Sequence, residues 1–190
     1  MTPSPSILVV EDETELAELF AEWLSEEYDV RVATTGEDAL ERVDEEVDVV
    51  LLDRLMPGIS GDEVLETIRD RGLSVRVAMV TAVEPDFDVL KMGFDDYVVK
   101  PVFREDVRRL VEGLLERDQY DQHLSDLFAS ASKLAALESH KSAGELETSE
   151  EYLRLKAEFE RTRERIEELE SGMSERDFDA VFYDLSEVDI

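Results

Sequence analysis

The sequence of 190 residues contains no cysteine, only two histidines and few basic residues. Without cysteine, the protein can form neither disulfides nor thiolate metal sites. No apolar run approaches the roughly 20 residues of a membrane-spanning helix, and the N-terminus lacks the basic and apolar regions of a secretion signal. We therefore expect a soluble, cytoplasmic protein with no membrane contact.

What the chain has in excess is negative charge. It carries 50 Asp and Glu residues against 20 Lys and Arg residues, which gives a net charge of −30. Such acidity is typical either of a disordered, solvating tail or of a folded protein adapted to a salt-rich cytoplasm. The acidic residues are spread along the whole chain and the apolar periodicity persists, which favours the second interpretation. At molar salt the Debye length is only about 3 Å, so self-repulsion would be screened.

Five short apolar runs alternate with helical patterns over the first part of the chain. Parallel strands need crossover connections, and helices in these crossovers cover both faces of a sheet. The pattern therefore predicts an α/β fold, a five-stranded doubly wound parallel sheet. The predicted strands are residues 7–10, 30–33, 49–52, 75–80 and 96–99, and the predicted helices are 14–28, 37–43, 61–71, 86–92 and one that begins near 103.

A second helical pattern follows residue 117. Apolar residues recur at three- and four-residue spacing over residues 124–137, and residues 142–144 are typical of a helix end. A further helix is expected near Thr148, which forms a capping-box pattern with Glu151. Because it carries a heptad stripe and follows a short turn, we expect an antiparallel helical hairpin. The stripe comprises Tyr152, Leu155, Phe159, Thr162, Ile166, Leu169 and Met173, and the tail has apolar residues for docking at Phe178, Val181, Phe182 and Leu185.

One carboxylate, Asp53, directly follows the central predicted strand. In open parallel sheets, ligands collect at the carboxyl ends of the strands. Asp53 is therefore a candidate reactive residue, although Asp also commonly ends a strand and caps the next turn. If the predicted sheet is right, the same edge also brings together Glu11, Asp12, Thr81 and Lys100.

These residue types suggest a particular chemistry. Neighbouring carboxylates repel one another strongly unless a cation neutralises them. Hard oxygen ligands without His or Cys favour Mg²⁺. Lys100 and Thr81 supply a positive charge and a hydroxyl group, which suit phosphoryl oxygens. The set predicts an aspartyl-phosphate site with Asp53 as the acceptor.

Four motifs lie at these strand ends: Val9-Val10-Glu11-Asp12-Glu13, Asp53 with Met56-Pro57-Gly58, Thr81-Ala82, and Tyr97-Val98-Val99-Lys100-Pro101. In this order they resemble the receiver domain of two-component response regulators, over about residues 6–117. The resemblance implies that Asp53 accepts a phosphoryl group from a sensor histidine kinase. It further implies that Thr81 and Lys100 bind this group, and that Tyr97 is an aromatic switch that swings inward when Thr81 is drawn toward the phosphoryl group.

The same resemblance implies a set of Mg²⁺ ligands. Asp12, Asp53 and the backbone carbonyl of Leu55 would bind the ion, with Glu11 coordinating directly or through water. Two residues depart from the pattern of many receivers. Glu11 stands where a shorter Asp is common, and Arg54 follows the acceptor where the residue is often apolar.

Residues 118–190 resemble the helical output region of haloarchaeal HalX-type response regulators in their heptads and acidity. We expect a phosphorylation-driven switch in transcriptional control, whose hairpin mediates homodimerisation or partner docking. An alternative is a transcription factor that contacts DNA directly, although no helix-turn-helix with a basic recognition helix is evident. A phosphatase of similar fold is disfavoured because such an enzyme needs a second Asp where this chain has Leu55. The protein is thus expected to assist only its own phosphoryl transfer and dephosphorylation.

Overall fold

The computed structural model describes residues 4–172, and the chain divides into two compact units at Leu115 and Glu116. The first unit contains a five-stranded sheet with the order β2-β1-β3-β4-β5, and all its strand pairs are parallel. The predicted doubly wound α/β fold is confirmed. The strands are β1 (Ser6–Val10), β2 (Asp29–Ala33), β3 (Val49–Leu52), β4 (Arg76–Thr81) and β5 (Asp96–Val99). The helices are α1 (Thr14–Leu24), α2 (Gly36–Arg42), α3 (Gly61–Asp70), a 3-10 helix (Phe87–Lys91), α4 (Arg104–His140), α5 (Ala143–Thr148) and α6 (Glu150–Gly172).

Side chains that alternate along the strands divide the core of the first unit into two layers. In β1, Leu8 and Val10 pack in the layer that contains the apolar side chains of α2 and α3. Ile7 and Val9 pack in the other layer, with α1 and the first turns of α4. Every residue of β1 and β3 is buried because helices cover both faces, which explains their continuous apolar runs.

The second unit contains an antiparallel hairpin formed by the C-terminal part of α4 and by α6. The Tyr120 hydroxyl donates to the Glu170 carboxylate over 3.0 Å, and the Tyr152 hydroxyl donates to the Glu138 carboxylate over 2.7 Å. Tyr120 of α4 thus contacts the end of α6, whereas Glu138, near the end of α4, contacts the start of α6. The two helices are therefore antiparallel. Burial and the neighbouring Glu170 carboxylate raise the pKa of Tyr120 to about 12, so this buried hydroxyl stays a donor at neutral pH.

The heptad stripe of α6 lies inside this hairpin. Tyr152 and Ile166 are buried, and Ile166 packs with Tyr120 in a cluster that Leu124 and Leu169 extend. The hairpin predicted from the heptads is thus present, and the stripe is used within one chain. The remaining predicted stripe and tail residues, Met173, Phe178, Val181, Phe182 and Leu185, lie outside the described residues.

The helix α6 begins at Glu150, where it was predicted to start, but its capping residue was predicted wrongly. Thr148 does not cap it, because Thr148 is the last residue of α5 and its hydroxyl donates back to the Gly144 carbonyl over 2.9 Å. Ser149 takes the capping role instead, since its Oγ accepts from the Tyr152 amide over 3.2 Å. The predicted turn between the long helices also contains a short helix of its own, α5, whose first turn is closed by Ser142 and Glu145.

Two other segments differ from a simple alternation of strands and helices. The predicted helix over residues 86–92 is a 3-10 helix of five residues with no buried side chain, so no packing stabilises a longer α-helix there. By contrast, α4 continues without a break through residues 117–119, where its apolar stripe is interrupted. Among the helices within residues 4–172, none combines the length and apolar character needed to cross a bilayer.

Candidate functional site

Backbone hydrogen bonds hold the ends of the strands at one level. The Glu11 amide donates to the Ala33 carbonyl over 3.1 Å, and the Asp53 amide donates to the Val10 carbonyl over 2.9 Å. The Lys100 amide donates to the Thr81 carbonyl over 2.8 Å. Each bond continues a strand ladder by one residue, so the side chains that follow the strands begin from the same edge of the sheet.

Three carboxylates meet at this edge. Glu11, Asp12 and Asp53 each offer an oxygen atom, and these atoms all lie within 4.8 Å of one another. Glu11 is 3% exposed and Asp53 is 8% exposed, whereas Asp12 is open to solvent. Burial raises the pKa of Glu11, and the neighbouring Lys100 only partly opposes this effect. Charge on this buried cluster is therefore costly without a cation.

Lys100 places an ammonium group between two of the carboxylates. Its Nζ donates to Glu11 over 2.6 Å and to Asp53 over 2.7 Å. Burial alone would lower the pKa of Lys100, but hydrogen bonds and charge from Asp53 and Glu11 outweigh it and raise the pKa. Lys100 therefore remains charged, with its donors already directed to the candidate acceptor.

Thr81 and Tyr97 are connected through the backbone of Val83. Thr81 is fully buried at the end of β4, and its Oγ1 accepts from the Val83 amide over 3.4 Å. The half-buried Tyr97 donates its hydroxyl hydrogen to the Val83 carbonyl over 2.9 Å, and its ring packs on Phe94 with centroids 5.4 Å apart. No pattern in the sequence predicts the bond between Tyr97 and Val83, because these two residues are 14 positions apart.

The loop after β3, which we call the acceptor loop (residues 53–60), is packed tightly against the start of α3. The Gly61 amide donates to the Arg54 carbonyl over 2.9 Å. A Cβ on Gly61 would lie 2.1 Å from the Asp53 carbonyl oxygen and 2.8 Å from the Arg54 Cα, so only glycine fits. Ser60 and Glu63 form a capping box that begins α3 directly behind the loop.

Leu55 contacts the acceptor through its backbone. Its amide donates to Asp53 Oδ1 over 3.2 Å, and its side chain is exposed. This bond orients the carboxylate, a role that the sequence did not predict. The predicted coordination of Mg²⁺ by the Leu55 carbonyl stays a prediction.

Arg54, to which the sequence assigned no role, makes the most extensive side-chain contacts of the acceptor loop. Its Nε and Nη2 donate to both oxygens of Asp62 at distances of 2.9 to 3.2 Å, and Nη2 also donates to Asp88. These hydrogen bonds to Asp62 and Asp88 raise the pKa of the guanidinium further above its ordinary value. A lone arginine beside an acceptor gives no local signal for partners that lie 8 and 34 residues away in the chain.

The donor set fits Mg²⁺. It consists of hard carboxylate oxygens, two of them buried, and neither His nor Cys belongs to this cluster in the part of the chain that the structure describes. Lys100 donates to Asp53, and Thr81 ends β4, the strand next to the one that Asp53 follows. The site can thus hold a divalent cation and a phosphoryl group side by side.

Comparison with protein families agrees with this geometry. The sequence model of the response regulator receiver domain matches residues 7–126, and that of the HalX domain matches residues 116–182. The chain belongs to the response regulator receiver family. Receiver domains bind Mg²⁺ at an acidic pocket and interact with sensor histidine kinases, and the three carboxylates described above form an acidic cluster.

Three individual proteins illustrate the similarity. A Haloferax volcanii protein, named provisionally as a transcriptional regulator, is 52% identical over 70% of this receiver chain and 23% of its own length. Sensory transduction protein RegX3 of Mycobacterium tuberculosis is 39% identical over 64% of the chain and 56% of its own length. The response regulator TrrA of Thermotoga maritima, solved with Mg²⁺ and BeF, is 36% identical with a TM-score of 0.52, over 58% of this chain and 99% of TrrA. The matches therefore span about a quarter to a half of the curated relatives.

The close contact at Gly61 generates a test of the acceptor loop. In Gly61→Ala the new methyl group meets backbone atoms that cannot move aside, so we expect a loss of roughly 1–3 kcal/mol in unfolding free energy. The matched control is Gly144→Ala in α5, where no atom lies within 4 Å. Thermal unfolding followed by circular dichroism should show a lower midpoint for Gly61→Ala only. An unchanged midpoint in that variant would contradict the packing described here.

Proposed function

We propose that this receiver is phosphorylated on Asp53 by a sensor histidine kinase and controls transcription through its HalX region. The proposal includes a cytoplasmic location and Mg²⁺ as the cofactor. The observation that supports it most is the pair of short bonds from Lys100 Nζ to Glu11 and Asp53, because they place a cation at the candidate acceptor. Similarity to named transcriptional regulators supports the output.

The chemistry follows from these positions. An Asp53 carboxylate oxygen attacks the phosphorus of a phosphohistidine, an O–P bond forms, and the P–N bond to the imidazole breaks. Lys100 turns its ammonium from the carboxylate to a phosphoryl oxygen, and Thr81 offers its hydroxyl to another. Mg²⁺ held by Glu11, Asp12, Asp53 and the Leu55 carbonyl would neutralise part of the added negative charge.

Movement of Thr81 toward the phosphoryl group would change the hydrogen bonding of Tyr97. Both side chains are bonded to Val83, so a shift of that residue changes the support of the Tyr97 hydroxyl. This connection supports the role of Tyr97 as the switch residue. A movement of Thr81 would therefore reach Tyr97 through a single residue, Val83.

The phosphoacceptor can be tested directly. Incubation with Mg²⁺ and acetyl phosphate, followed by intact mass measurement, should add one phosphoryl group to the native protein and none to Asp53→Asn. The matched control is Asp44→Asn, an exposed carboxylate that is paired with Arg31 away from the site and should leave labelling unchanged. Equal labelling of the native protein and Asp53→Asn would refute the assignment.

A phosphatase acting on separate substrates is less well supported. Such an enzyme needs an acid or base two residues after its nucleophile, and this position is occupied by Leu55, whose side chain is apolar and exposed. We therefore infer that the chain assists only its own phosphorylation and dephosphorylation.

Direct DNA contact by α6 also has little support. Arg163 pairs with Glu160 at 2.8 Å, and Arg165 pairs with Glu168 at 3.0 Å. Arginines neutralised by neighbouring glutamates on an exposed helix face contribute little attraction to phosphates. We therefore infer that the helical region acts by binding a partner protein or a second copy of the chain, and not by binding DNA.

Homodimerisation of the phosphorylated protein is part of the proposal, but Tyr152 and Ile166 of the heptad stripe are already buried within the hairpin, so the stripe is a poor candidate for the interface. The most exposed large apolar side chain of the described part of the hairpin is Phe128, on α4. Because the chain carries a net charge of −30, association should strengthen as salt screens the repulsion.

Light scattering across a salt series, with and without acetyl phosphate, measures this association. We expect dimer to increase with salt and with phosphorylation, and Phe128→Ser to reduce it. Gln122→Ser, a substitution of an exposed residue on the same helix that leaves the net charge unchanged, is the matched control. A monomer at every salt concentration, phosphorylated or not, would rule out the dimer.

A further inference from the structure

The guanidinium of Arg54 joins three separate parts of the first unit. It begins in the acceptor loop, next to Asp53, and reaches Asp62 in α3 and Asp88 in the 3-10 helix. Its side chain is only 12% exposed, although both carboxylate partners are about half exposed. An arginine this well enclosed has lost most of its rotamer freedom, so its position is determined by these partners.

The 3-10 helix depends on this contact more than other elements do. It has no buried residue, and its two large apolar side chains are almost fully outside the core, with Phe87 85% exposed and Leu90 78% exposed. Asp86 caps its first turn, which satisfies a local amide but does not attach the helix to the sheet. A segment with so little apolar burial opens easily unless a specific bond holds it. The ion pair between Asp88 and Arg54 is such a bond.

Arg54 also lies near the predicted switch residue, since Tyr97 is among the groups that raise the pKa of its guanidinium, after Asp62 and Asp88. The Tyr97 hydroxyl donates to the Val83 carbonyl, which lies in the segment leading from β4 to the 3-10 helix. The segment is therefore bonded to Tyr97 at Val83 and to Arg54 at Asp88.

We propose that Arg54 is a positioning residue that ties the 3-10 helix to the acceptor loop, and that a phosphoryl group on Asp53 loosens this tie. The proposal rests on phosphorylation of Asp53 as its trigger. It assigns a role to the residue that departs from the apolar side chain common at this position in receivers.

The bonds of Arg54 are unequal, and this difference determines which of them yields. Asp62 is held by a bidentate pair, with Nε and Nη2 on its two oxygens. Asp88 is held by Nη2 alone, and that nitrogen is shared with Asp62. A phosphoryl group adds about two negative charges one residue away and competes for the same cation. The single bond to Asp88 is therefore the first to weaken, which releases the 3-10 helix with Phe87 and Leu90.

Hydrogen–deuterium exchange measured by mass spectrometry tests this proposal on the full chain. Peptides that cover residues 84–92 report on the 3-10 helix, with Mg²⁺ alone and with Mg²⁺ and beryllium fluoride as the phosphoryl mimic. In the native protein we expect exchange in this segment to rise when the mimic binds. In Arg54→Leu and in Asp88→Asn, exchange should already be about tenfold faster without the mimic, because a charged hydrogen bond is lost.

Three comparisons separate a positioning role from general destabilisation. The double variant Arg54→Leu with Asp88→Asn should exchange no faster than Arg54→Leu alone, since Arg54→Leu already removes the ion pair that Asp88→Asn weakens. Arg54→Lys should restore slow exchange only in part, because an ammonium cannot hold Asp62 and Asp88 together as a planar guanidinium does. Arg42→Leu, which removes an exposed pair with Asp38 in α2, should leave residues 84–92 unchanged.

If residues 84–92 exchanged at the native rate in both Arg54→Leu and Asp88→Asn, Arg54 would not hold the 3-10 helix in place, and the proposal would be wrong. Faster exchange in those variants, with no response of the native segment to bound mimic, would overturn its release by the phosphoryl group. Binding of the mimic is followed separately, through slower exchange of peptides that contain Asp53. Loss of that protection in the native protein would count against the proposed function and not against the basal tie.

Discussion

The site depends on one electrostatic constraint, which is the burial of two carboxylates at the edge of a parallel sheet. Strand ladders place Glu11 and Asp53 side by side, and helices on both faces remove them from water. Such a pair is tolerated only beside a cation, and Lys100 supplies it at 2.6 and 2.7 Å. In the proposed function, the same charges would hold a metal ion and a phosphoryl group side by side.

The surrounding loops follow from this arrangement. Gly61 lets α3 begin against the Asp53 carbonyl, and the Leu55 amide orients the Asp53 carboxylate. Thr81 and Tyr97 are both bonded to Val83, so the end of β4 is connected to Tyr97 through a single residue. Asp53 is held by the strands of the sheet, whereas Tyr97 is held at its hydroxyl by one hydrogen bond to Val83. The second is able to change while the first stays in place.

Much of the fold was predictable because its signals are local. Continuous apolar runs at β1 and β3 indicate strands covered on both faces, and an acid directly after a strand of a parallel sheet lies at the edge where ligands bind. Heptad spacing in α6 predicted a helix with one apolar face, which the structure confirms. Sequence alone did not show whether that face meets α4 or a second chain, since both give the same pattern.

Other features were not predictable because they join residues that are distant in the sequence. Thr148 and Ser149 are both good caps, and only the end of α5 decides between them. Arg54 gave no signal, because its partners Asp62 and Asp88 belong to two other elements. The 3-10 helix had a helical pattern but lacks a surface to pack against.

Isothermal titration with Mg²⁺ at constant molar potassium chloride tests the central electrostatic claim most directly. If Glu11, Asp12 and Asp53 form one cation site, the native protein binds Mg²⁺ and Glu11→Gln weakens that binding about tenfold or more, which is about 1.4 kcal/mol. Glu46→Gln, an exposed acid paired with Arg31 far from the cluster, should bind like the native protein. Equal Mg²⁺ affinity in the native protein, Glu11→Gln and Asp53→Asn would contradict the account.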